Sequence, residues 1–212
     1  MDSNEIHLGL LVSENMPHQI LEMYESELKA EKLKLKIARI PFGGPHACIE
    51  WALPTVVSLY ILKPYFEGFL KELSKDHYNI LKNWLNKTAI GLRSVKVYTA
   101  TANQSSHKIN PQNTQSRVFS ISTFSNTGEH LKFLFDDTLS NEDWQKGIEL
   151  LLKLLEEHFC NGENDRLSIE IRNNDSGREI FCRLKTDNLD WEILNYKKHI
   201  LEEREKKEKD SQ

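Results

Sequence analysis

Two prolines bracketing a pair of glycines, Pro41-Phe42-Gly43-Gly44-Pro45, divide the chain more sharply than any other feature. Proline fixes φ and lacks an N–H, and glycine is entropically costly inside a regular element. Neither a helix nor a strand runs through this segment, which reads as a turn or hinge.

Before the hinge, Glu5 to Ser13 is an apolar run suited to a buried strand and too short for an independent helix. Pro17 to Glu31 places Ile20, Leu21, Met23, Tyr24 and Leu28 at roughly helical spacing, with Pro17 in the first turn. Leu33 to Ile40 alternates between apolar and mostly basic side chains, the pattern of a half-exposed strand. Residues 1–45 are therefore a β-α-β unit ending in the hinge.

After the hinge comes the most apolar stretch, Ala47 to Leu62, whose single charge is Glu50. Residues 47–86 read as a long helix broken near Pro54 or Pro64. A bilayer span takes about 20 apolar residues. Extending the stretch to Phe69 brings in Lys63, Pro64 and Glu67, which are costly in hydrocarbon. A buried or partner-binding helix is expected ahead of a membrane span or surface docking, with Trp51, Val56, Leu59, Tyr60, Tyr65 and Phe66 as the partner-binding residues.

Further on, Ser94–Ala102, Arg117–Phe124 and Leu131–Phe135 read as antiparallel strands, with a turn at Asn126-Thr127-Gly128. Ser140 with Asp143 three residues later opens a helix over Asn141–Phe159, and Asn161-Gly162 closes it. Leu167–Ile171 and Glu179–Leu184 read as a hairpin, Trp191–Leu201 as a short helix, and Glu202–Gln212 as a solvated charged tail. The fold class is α+β: a β-α-β unit (1–45), a helical segment (46–90), an α+β unit (91–201) and the tail (202–212), or all of these around one core.

The chemistry is sparse. The net charge is −4 and no basic cluster stands out, which disfavours nucleic acid as a partner. Cys48, Cys160 and Cys182 form no CxxC pair, so neither a disulfide framework nor a thiolate zinc site is expected. Free thiols and a polar Met1-Asp2-Ser3-Asn4-Glu5 start point to the cytoplasm. Gly43-Gly44 lacks the residues of a phosphate loop. His46 and Glu50 share a helix face but have no favoured third ligand, and Asp136-Asp137 reads as a loop. No catalytic set, metal site or cofactor is expected.

The layout of a β-α-β unit, a Gly/Pro break and an apolar segment followed by strands resembles the small effector-associated constant components of bacterial conflict and signalling systems. The run Glu50-Trp51-Ala52-Leu53-Pro54 through Tyr65-Phe66-Glu67-Gly68-Phe69-Leu70-Lys71 carries the likeness, which covers about the first hundred residues. The long C-terminal extension and the charges after Leu62 depart from that pattern. The resemblance implies a non-enzymatic adaptor beside an effector and supplies no functional residues. The expected role is thus a binding or adaptor protein presenting an apolar helix or groove to a partner protein or a second copy. The alternatives are a membrane-associated effector inserting residues 47–70, and a cryptic hydrolase or nuclease using His46, Glu50, Asp136 or Glu170.

Overall fold

The structure, a computed structural model, describes residues 6–41, 54–73, 76–95, 97, 114–162, 164–174, 177–185 and 187–195. Helices and a mixed sheet combine in an α+β architecture. The strands are β1 (Leu8–Ser13), β2 (Leu35–Ile40), β3 (Val57–Ile61), β4 (Gln115–Phe124), β5 (His130–Asp136), β6 (Glu179–Leu184) and β7 (Trp191–Ile193). They lie in the order β2-β1-β3-β4-β5-β6-β7. The helices are α1 (His18–Leu28), α2 (His77–Leu92), α3 (Asn141–Cys160) and α4 (Arg166–Arg172), with a π-helix over Tyr65–Leu73.

The N-terminal expectation holds: β1 and β2 pair in parallel across α1. α3 begins as its sequence dictates. The Ser140 hydroxyl accepts from the Asp143 amide at 3.0 Å, and the Asp143 carboxylate accepts from the Ser140 amide at 3.3 Å. This reciprocal pair satisfies two amides that have no partner inside the helix.

Several expectations are corrected. Residues 57–61, read as part of a long helix, form the interior strand β3. Val57, Leu59 and Ile61 point into the core while Ser58 and Tyr60 face the other way, a period of two inside an apolar run. Among the described residues of the segment, the helical part comes after β3, with the π-helix and α2. Residues 167–171, read as a strand, form α4. Leu167 and Ile171 are buried and Ile169 is 47% exposed, an i, i+4 pattern that no strand produces. The start of the expected last helix is instead β7, antiparallel to β6. The C-terminal strands are not all antiparallel, because β5 and β6 run parallel. Val95 and Val97 lie outside any strand, and most of the strand expected at 94–102 lies outside the described residues.

Strand directions alternate in pairs: β1 and β2 one way, β3 and β4 the other, β5 and β6 the first way again. Helices bridge each pair, and all of them bury their apolar sides in one cluster with the same face of the sheet. The β1-to-β2 bridge steps across the sheet in one sense and the β5-to-β6 bridge in the other. Their strands point the same way, so the two crossovers have opposite hands. Right-handed connections dominate parallel units, and one of these two is the rare hand.

Buried aromatic contacts weld the helical layer together. Phe66 of the π-helix stacks on Phe159 of α3, and Tyr24 of α1 meets Trp84 of α2 edge-on. His77, at the start of α2, is fully buried. Its Nε2 donates to the Leu28 carbonyl at 2.9 Å, and its Nδ1 accepts from the Tyr65 hydroxyl at 3.0 Å. This pairing needs a neutral imidazole, and burial does push the His77 pKa below 6.5. Among the described residues no helix is long and apolar enough to cross a membrane.

Candidate functional site, a hydroxyl-lined cleft on the sheet

Pleating sends alternate residues to the face that carries no described helix, and the strand register arranges them in rows. One row runs Gly9, Tyr60, Ser122, Lys132 and Phe181 across β1, β3, β4, β5 and β6. The next runs Leu11, Ser58, Ser120, Leu134 and Arg183. On the other side, Phe124, His130 and Glu179 form a third, shorter row. Between these rows and Thr55 lies a cleft of about 210 Å³.

Its floor is a ladder of hydroxyls. Ser120 donates to Ser58 at 3.0 Å and lies 2.8 Å from the Thr55 hydroxyl, all three being buried. Ser122, only 1% exposed, lines the same cleft, and its hydroxyl has no hydrogen-bond partner among the described residues. The Tyr60 hydroxyl is near enough for Ser122 to draw its pKa downward, but the two do not reach hydrogen-bond geometry.

The side wall is aromatic and titratable. The Tyr60 ring stacks on His130, and its hydroxyl sits 3.2 Å from His130 Nε2. Phe124 packs against both and is 48% exposed. Glu179 lies 3.8 Å from His130 Nδ1. Burial lowers the His130 pKa, helped by Lys132 and opposed by Glu179, so the imidazole is neutral at pH 7. Burial, with the Glu179 charge adding to it, raises the Tyr60 pKa above 10.0. Gly9 makes room for this wall, since a Cβ there would stand 3.3 Å from Tyr60 Cβ.

The residues singled out from the sequence scatter. Trp51, His46 and Glu50 lie outside the described residues. Leu59, Tyr65 and Phe66 are wholly inside the core and cannot form a docking surface, because β3 and the π-helix turn them toward the helical layer. Val56 is half-buried, and of the described members of the set only Tyr60 reaches the cleft. Asp136 caps its own turn by accepting from the Thr138 amide at 2.8 Å, and Glu170 pairs with Arg166 at 2.8 Å on α4. Among the described residues no group of three or more His, Cys, Asp or Glu side chains could hold a metal ion.

The sequence reading passed over Ser58, Ser120, Ser122, His130, Lys132 and Glu179. The alternation in Arg117–Phe124 already put Ser120 and Ser122 on one side of a strand, but nothing in it showed that this side would be buried.

A second cluster, His158, Asp165 and Ser168, has the composition of a hydrolytic triad without its geometry. Asp165 and Ser168 both approach His158 Nδ1, at 3.1 and 3.2 Å, while Nε2 accepts from the Asn126 amide at 3.2 Å. A triad needs the serine and the carboxylate on different ring nitrogens. This is a buried latch that joins the β4–β5 turn to α3 and to the cap of α4. Comparison with known proteins yields no match to a family model, a curated protein or a solved structure.

Proposed function

We propose that the protein is a binding module whose ligand occupies the cleft on the face of the sheet that carries no described helix. The observation that carries this reading is the Ser122 hydroxyl, buried in the cleft wall without a partner among the described residues. A buried hydroxyl left unpaired costs about 1–3 kcal/mol, a cost that a ligand supplying the missing hydrogen bond removes.

Catalysis is the weaker reading. Tyr60, His130 and Glu179 stand in the order of nucleophile, base and orienting group. An activated phenol needs a lowered pKa, however, and that of Tyr60 is raised. The adaptor role implied by the family resemblance fits a binding module, with ligand occupancy as the signal passed to a partner protein. The apolar segment gives no support for partner docking, since Leu59, Tyr65 and Phe66 are interior.

The test is a metabolite-sized compound library screened by thermal shift, with hits mapped by amide NMR. Hits should perturb Ser58, Ser122 and His130. A library without hits, or hits that all map to the helical layer, would reject the proposal.

A further inference from the structure

We infer that the cleft selects an uncharged polyol of about monosaccharide size, an inference that rests on the binding reading above. At about 30 Å³ per water, 210 Å³ holds roughly seven waters, below the ~300–1,000 Å³ of pockets for larger ligands. The polar lining is matched to groups that both donate and accept. Ser58, Ser120 and Ser122 each offer one proton and two lone pairs. Ser120 directs its proton at Ser58, and the Ser122 hydroxyl has no partner at hydrogen-bond geometry among the described residues. A carboxylate or phosphate only accepts and would leave the hydroxyl lone pairs unmatched.

Electrostatics argue the same way. Among the described residues no helix packs on this face, so none of the described helices aims its N-terminal amides into the cleft. Among the described lining residues, Lys132 and Glu179 carry opposite charges on neighbouring strands and His130 and Tyr60 are neutral, so these charges sum to zero. Phe124 does not line the cleft itself but packs on Tyr60 and His130, which do, and at 48% exposed it extends their aromatic surface outward for contact with C–H groups. A sugar ring carries both parts of that complement, a C–H face and a hydroxyl rim.

The experiment is an amide NMR titration of the full chain with glucose, galactose and ribose. Glucose 6-phosphate, gluconate and glucosamine serve as charged counterparts. At least one uncharged sugar should shift the Ser122 and His130 amides and bind about tenfold tighter than its charged counterpart. Ser122→Ala should weaken it about fivefold, the scale of one hydrogen bond, and Phe124→Ala should weaken it independently. Unchanged spectra of the helical layer in both variants establish that they are folded. Tighter binding of a charged counterpart overturns the ligand class and leaves the binding module standing. Absence of any sugar shift at these amides at about 10 mM overturns the inference, and only a library that is also silent at the cleft removes the module itself.

Discussion

Gly147 sits in the middle of α3, where helix propensity alone favours alanine by about 0.8–1 kcal/mol. Packing reverses the sign. A Cβ built at Gly147 would stand 2.6 Å from Leu184 Cδ2, with Leu184 Cγ at 3.6 Å and Cδ1 at 3.7 Å. Leu184 is buried on β6, and the Gly147 carbonyl accepts the Trp191 indole N–H at 3.0 Å, which holds helix and sheet at their present separation. Forcing a methyl into such a contact costs about 1–3 kcal/mol. Gly147→Ala should therefore destabilise the protein by about 1 kcal/mol net, with the propensity gain already subtracted. Leu184→Ala alone should cost about 2–5 kcal/mol. In that truncated background the clash is gone, so Gly147→Ala should stabilise by about 0.8–1 kcal/mol. The difference between backgrounds, about 2 kcal/mol, is a coupling that urea denaturation of the four proteins measures, provided their m-values agree. If Gly147→Ala stabilises the unmodified protein, or acts equally in both backgrounds, the close approach of α3 to β6 is not what selects glycine.

Three further predictions follow from particular contacts. Because burial lowers the His77 pKa, the unfolded chain takes up the proton first. The contribution of His77 is complete above about pH 6.5 and is lost as the pH falls below it. Stability measured by urea at about pH 7.5 and about pH 5.5 should fall less in His77→Gln than in the unmodified chain, and an equal fall would rule out His77 as a source. Ser140→Ala should cost about 0.5–2 kcal/mol, or about 2–4 °C in Tm per kcal/mol, whereas Ser140→Asp should retain most of the cap. Gly9→Ala should change stability by less than about 1 kcal/mol, since strand propensity offsets the tight contact. It should nonetheless move the His130 ring resonances through Tyr60, and unchanged resonances would mean that Tyr60 does not depend on that glycine.

Local chemistry made part of the fold legible. Ser140 and Asp143 announce their helix because a capping box is read within four residues. Leu33–Ile40 announces a strand because one of its faces stays wet. Residues 57–61 misled because the flanking residues are apolar too, which hides the alternation of Val57, Leu59 and Ile61 with Ser58 and Tyr60. Leu167–Ile171 misled in the opposite sense. Its apparent alternation includes Ile169, which is left in water, and the deciding signal was the Asp165 side chain capping the Ser168 amide at 3.1 Å. The cleft was illegible for a different reason. Ser58, Ser122 and His130 come from three strands, and only the pairing register brings them together.

The β4–β5 hairpin has a kinetic consequence. Its strands are joined by a short turn in which the Ser125 amide donates to the Glu129 carbonyl at 2.8 Å and Gly128 takes a φ of +95°. β1 with β2, β3 with β4, and β5 with β6 each wait on a helical crossover instead. Hairpins close in about 1–10 μs, whereas contacts between distant parts of the chain form more slowly. Ser120, Ser122, His130 and Lys132 are thus placed early, and the cleft becomes complete only when β3 brings Ser58 and Tyr60 alongside. A ligand that needs both walls recognises the finished sheet and not its precursor. It should slow unfolding while leaving the folding rate almost unchanged. Stopped-flow fluorescence with and without a bound sugar distinguishes this from a ligand that assists assembly, which would speed folding.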